Sequence, residues 1–142
     1  MGQYSLPNGE SISKEGLWVI NPKIWLSNLF DEGVFLKSEF AYESKSGMRA
    51  HAWYLGGGIH RDDILFKPSL YYRFAFMQGD DPNTDTYERY DPLLSSGLGN
   101  WVQGINFRKV VGNGNIVSHR IELKGSLSEK WQLALDAFFL MS

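Results

Sequence analysis

The sequence predicts an all-β protein, an antiparallel up-and-down meander that forms part of a transmembrane β-barrel. Three observations predict it. From Gly16 onward, seven segments alternate apolar and polar residues with a period of two, and none carries the 3.6-residue period of a helix. Several segments run for about 10 to 13 residues, beyond the ~5 to 6 of soluble strands and close to the ~9 to 11 that a tilted strand needs to cross a bilayer. Aromatic residues (Trp18, Tyr42, Phe76, Trp101, Trp131, Phe139) gather toward segment ends, as in the girdles of barrels at the membrane interface.

The first segment, Leu17 to Asn28, sets Trp18, Ile20, Pro22, Ile24 and Leu26 on one face. Pro22 has no N–H for a ladder, so an edge or a bulge is expected there. The second, Val34 to Lys45, opposes Val34, Leu36, Phe40 and Tyr42 to Lys37, Glu39, Ala41 and Glu43. In the third, Met48 to His60, Met48, Ala50, Ala52 and Tyr54 oppose Arg49, His51, Trp53 and Leu55. Three glycines, Gly56 to Gly58, follow. With no helix pattern after them they predict a bend or a close backbone approach, not a phosphate loop.

The fourth segment, from Ile64 to Phe76, places Ile64, Phe66, Leu70, Tyr72, Phe74 and Phe76 opposite Lys67, Ser69, Tyr71 and Arg73. A fifth opposes Trp101, Ile105 and Phe107 to Asn100, Asn106 and Arg108. The sixth sets Val117, Ile121 and Leu123 against Ser118, Arg120, Glu122 and Lys124, with His119 on the apolar side. The seventh sets Trp131, Leu133, Leu135, Ala137 and Phe139 against Gln132, Ala134 and Asp136. Ser46-Gly47, Arg61-Asp62-Asp63, Asn113-Gly114 and Leu127-Ser128-Glu129 supply the turns, and Asn-Gly between alternating runs is a strong hairpin signal. Seven segments are fewer than the eight or more of a closed barrel, which predicts part of a larger barrel or an irregular eighth strand from Gln3 to Ile12.

A length of 142 residues bounds one domain, 1–142, with a long inter-strand loop over 79–99. A net charge of -2 gives no reason to expect a nucleic-acid partner, and the absence of cysteine excludes disulfides, thiolate zinc sites and cysteine nucleophiles. The N-terminus shows neither a basic-then-apolar signal peptide nor, with Leu6 where Ser or Thr belongs, a full myristoylation pattern. An envelope protein with this sequence is then expected to be a mature or internal piece of a longer precursor.

The acidic loop from Met77 to Trp101 is the first place to look for chemistry. Asp81, Asn83 and Asp85 have the alternate spacing of a calcium loop, but Pro82, Tyr87 and the absence of the sixth-position glycine and twelfth-position glutamate spoil the match. A structural network of Asx turns is the simpler expectation. Two of Asp80, Asp81, Glu88 and Asp91 as a glycosidase pair would need a carboxylate separation that sequence does not give. His51, His60 and His119 lack metal-ligand spacing. No catalytic residue, metal or cofactor is expected. The better candidates are the polar-face cations Lys37, Arg49, Lys67, Arg73, Arg108, Arg120 and Lys124, which would attract carboxylate-bearing chains if that face lined a pore.

At "YYRFAFMQGDDPNTDTYERYDPLLSSGLGNWVQG" the sequence resembles the bacterial alginate export family of outer-membrane β-barrels. The resemblance rests on Gly79, Asp80, Asp81 and Pro82, then on Glu88, Tyr90, Asp91, Pro92 and Leu93, with Arg89 intervening; the strand pattern extends it over most of the chain. It implies an outer-membrane location, contact with outer-membrane lipid, and passive export of an anionic polysaccharide or a related small anion, without enzymatic activity. The other reading of the alternation is a soluble, lipocalin-like barrel that binds a ligand, with its apolar faces turned inward.

Overall fold

The structure, a computed structural model, describes residues 3–5, 11–91 and 115–141. Those residues form strands and turns with no helix. They give a two-stranded ladder of β1 (Gln3–Ser5) and β2 (Ser11–Ser13), and an open sheet of seven antiparallel strands. The sheet comprises β3 (Trp18–Ile20), β4 (Lys23–Leu29), β5 (Val34–Lys45), β6 (Met48–His60), β7 (Ser69–Met77), β8 (Ile116–Ser128) and β9 (Trp131–Met141). Its order is β3-β5-β6-β7-β8-β9, with β4 also paired to β5. The expected eighth strand at the N-terminus is instead the separate β1-β2 ladder.

Two boundaries differ from the sequence expectation. The first segment breaks at Asn21-Pro22 into β3 and β4, and Phe40 donates its N–H to the Pro22 carbonyl at 3.1 Å, using the acceptor that proline retains. The fourth begins at Ser69, not Ile64. Phe66 and Lys67 adopt φ of 70° and 42°, and Lys67 closes a turn onto Ile64 (2.9 Å), so the apolar alternation of 64–66 belongs to a connection. Trp101, Arg108, the fifth segment and the Asn113-Gly114 turn lie outside the described residues.

The chain divides into two compact units. The first holds Met1–Asn21, Ala41–Ala52 and Met77–Asn115. Here β3 pairs with the end of β5, and the Trp18 and Tyr42 rings meet at 5.6 Å. The Ser46-Gly47 turn, with Gly47 at φ 77°, leads into β6, where Met48, Ala50 and Ala52 are almost wholly buried. The described part of the acidic loop folds onto this hairpin: Tyr87 donates to the Gly47 carbonyl and accepts from the Arg49 N–H, each at 3.0 Å, as an isolated parallel bridge.

The second unit holds Pro22–Phe40, Trp53–Phe76 and Ile116–Ser142. Its ladders sort residues by face. Between β8 and β9 the pairs Ile121↔Ala137, Leu123↔Leu135 and His119↔Phe139 stand on one side, and Arg120↔Phe138, Glu122↔Asp136 and Lys124↔Ala134 on the other. Between β4 and β5, Leu26↔Leu36 falls on one side and Lys23↔Glu39 and Trp25↔Lys37 on the other. Buried charges stand on the charged side, Glu39 and Arg73 each 2% exposed and Glu122 9%, while Lys23, Lys37 and Asp136 on the same side are exposed. The apolar side is open, with Leu123 at 49%, Leu135 at 65% and Phe139 at 61%.

Candidate functional site

The polar face of the second unit gathers most of the described candidate cations. Glu122 and Asp136 stand directly opposite each other, an arrangement that destabilises a ladder when both are ionised. Arg120 resolves it: one guanidinium nitrogen reaches Glu122 and Nε donates to Asp136 Oδ1 at 2.8 Å, while Lys124 Nζ lies 2.8 Å from Glu122 Oε1. Lys23 neutralises buried Glu39 at 3.1 Å. On this face five cations (Lys23, Lys37, Arg73, Arg120, Lys124) meet three carboxylates (Glu39, Glu122, Asp136), an excess of two positive charges.

Aromatic rings underlie the cations. The Arg73 guanidinium sits 5.7 Å from the Tyr54 ring centroid, Lys37 Nζ 5.4 Å from that of Phe35, and Arg120 5.7 Å from that of Phe138. Phe35 in turn stacks on Tyr71 at 5.7 Å. Glycines make the room: a Cβ on Gly56 would run into the phenol end of Tyr71, and one on Gly58 into the Phe35 ring and the Leu70 carbonyl. These rings were not singled out as site residues in the sequence. The signal was the Gly56–Gly58 run, which marks the close approach without naming what approaches.

Not every candidate cation belongs to this face. Arg49 stands between buried Met48 and Ala50, so it projects from the exposed side of β6, where Nε reaches Glu88 Oε1 at 3.4 Å. Lys67 is an exposed turn residue, as the start of β7 at Ser69 requires. Arg108 lies outside the described residues.

The motif loop is held by its own hydrogen bonds and by the first unit. Asp81 Oδ1 accepts from the N–H (2.9 Å) and Nδ2 (2.8 Å) of Asn83, an Asx turn that holds the Asp81 carboxyl below its ordinary range. Asp80 Oδ1 accepts from the Glu88 N–H at 2.8 Å. Gly79 packs against the Asn115 side chain, and a Cβ there would overlap it. Asp91 pairs with Lys14 and donates its N–H to Glu43 Oε2 at 3.0 Å. Burial raises the Tyr87 hydroxyl above its ordinary range. Pro82 is exposed, and Pro92 and Leu93 lie outside the described residues. Among the described residues no three His, Asp or Glu side chains converge as a metal site, and no helix is long and apolar enough to cross a membrane, which says nothing of strands.

No family model, curated protein or solved structure matches the chain. The likeness to alginate exporters therefore rests on the loop motif and strand pattern alone.

Proposed function

We propose that this chain is a segment of an outer-membrane β-barrel that lets an anionic polysaccharide, alginate-like, or a related anion pass without catalysis. One observation carries the reading: the sheet of the second unit buries Glu39, Arg73 and Glu122 on one side and exposes large apolar residues such as Leu123, Leu135 and Phe139 on the other. A sheet facing water has the reverse arrangement. An exposed apolar face this extensive marks contact with lipid or with another protein. Strand dimensions add support. The 11 residues of β9, at ~3.4 Å each and tilted by ~40°, rise about 28 Å, close to the ~25 Å apolar band of such barrels. The β9 edge, paired only with β8 among the described residues, is where further strands of a longer chain would continue the sheet.

The excess of cations on the polar face supports an anion as cargo. Arg73, buried on this face over the Tyr54 ring, is the cation whose charge the test reverses. The soluble lipocalin-like reading needs apolar faces turned inward, and the exposure of Leu123, Leu135 and Phe139 weighs against it. The test is planar-bilayer reconstitution of the full-length parent, with anion selectivity measured for the parent and for Arg73→Glu. Selectivity should fall or invert; unchanged selectivity would remove Arg73 from the path.

A further inference from the structure

Two turns of the second unit carry aromatic residues where the backbone disfavours them. Phe30, in the turn between β4 and β5, has φ 61° and is 86% exposed. Phe66, in the connection between β6 and β7, has φ 70° and is 51% exposed, beside Leu65 at 77%. Left-handed backbone suits Gly and Asn, and water disfavours an exposed ring.

Neither ring is needed to hold its turn. Asn28 Oδ1 accepts from the Gly33 N–H at 3.2 Å and its Nδ2 donates to Asp31 at 3.3 Å. Gly33 accepts from the His60 N–H at 3.1 Å, and Arg61 donates its N–H to the Pro68 carbonyl at 3.0 Å. The part of Phe66 that is used is its carbonyl, which accepts from the Ser126 N–H at 2.6 Å. A residue that breaks a local rule twice over without serving the fold points to a contact outside the chain.

A cleft between these turns is lined by Asn28, Asp31, Glu32, Gly33, His60, Arg61, Asp62 and Asp63. Its one arginine, Arg61, is clamped on Asp63 through two hydrogen bonds of 2.9 and 2.8 Å, and His60 Nε2 lies 2.8 Å from Asp62 Oδ2. Four carboxylates against one guanidinium leave three negative charges in excess.

We propose that this pair of turns docks a protein segment whose apolar side chains meet Phe30 and Phe66 and whose flanking Lys or Arg residues meet the acidic cleft. The same negative charge disfavours anionic lipid headgroups. The inference does not depend on the transport reading, because its test measures no transport.

The probe is a synthetic peptide of alternating Leu and Lys, titrated onto the full chain beside one of alternating Leu and Glu. Phe30→Asn and Phe66→Asn suit the left-handed backbone, so both variants should keep or raise the unfolding midpoint while each weakens Leu-Lys binding about tenfold. Asp31→Asn with Glu32→Gln, or half-molar salt, should weaken it similarly. Unchanged binding in the Phe variants, equal binding of the Leu-Glu peptide, or a lowered unfolding midpoint in the Phe variants would overturn the proposal. So would brominated-lipid quenching greater for Phe30→Trp than for the parent chain with its own five tryptophans, with no peptide binding, which would place the turn at a bilayer.

Discussion

Leu135 on β9 separates a membrane sheet from a water-facing one in a single substitution. It is 65% exposed, opposite Leu123, on the apolar side of the β8–β9 ladder. It lies four residues beyond Trp131, ~14 Å along the strand and, at a tilt of ~40°, about 10 Å in depth from that end, near the middle of an apolar band ~25 Å tall. Arg at such a depth costs about 2 to 4 kcal/mol in a bilayer, whereas an exposed substitution in water falls within about 0.5 kcal/mol of neutral. The assay is reversible denaturant unfolding of the full chain in phosphatidylcholine vesicles, comparing Leu135→Arg with Gln132→Arg, whose position opposite Ser126 is on the polar side. Leu135→Arg should lose about 2 to 4 kcal/mol and Gln132→Arg almost nothing. Equal, near-zero losses, together with a wild-type chain that stays monomeric without detergent, would refute the membrane reading.

Three further outcomes follow from the geometry. Arg120→Ala leaves Glu122 and Asp136 opposed without their shared guanidinium; breaking a buried pair costs about 3 to 5 kcal/mol, and the partial exposure of Asp136 discounts this to about 2 to 3. Adding Asp136→Asn should recover roughly half in a double-mutant cycle, and full additivity would show that the three groups are uncoupled. Gly56→Ala should cost about 1 to 3 kcal/mol by overpacking against Tyr71, with the loss reduced in a Tyr71→Ala background; thermal unfolding reads both. The Arg61 guanidinium holds the Asp63 carboxyl at about 2, below its ordinary 3.8. The pairing therefore contributes fully above pH 3.8 and is lost as pH falls through about 2, and a carboxyl-carbon NMR titration should show Arg61→Gln returning the midpoint toward 3.8.

Alternation made the strands legible but not the side on which each one is crowded. The bounds of β5 and β6 could be read from sequence because a Gly-containing turn separates two long runs. The start of β7 could not, since Ile64, Leu65 and Phe66 carry on the apolar pattern through a left-handed turn that period-two counting does not register. Charge alone assigns Arg49 to the polar face, yet β6 buries Met48, Ala50 and Ala52, so Arg49 takes the exposed side. Small residues there report crowding, which hydropathy does not measure. The same reasoning explains the missed rings. Glycine at 56 and 58 is the sequence trace of Tyr71 and Phe35 lying across the sheet, and only neighbouring strands reveal which rings they admit. On such a face a cation's role depends on its partner. Arg120 and Lys124 are held by carboxylates that a passing anion would have to displace, whereas Lys37 is exposed beside the Phe35 ring and Arg73 is buried over the Tyr54 ring. If anions pass this face, Lys37 should act on selectivity by contact and Arg73 through the field of its buried charge, and Arg120 should set stability.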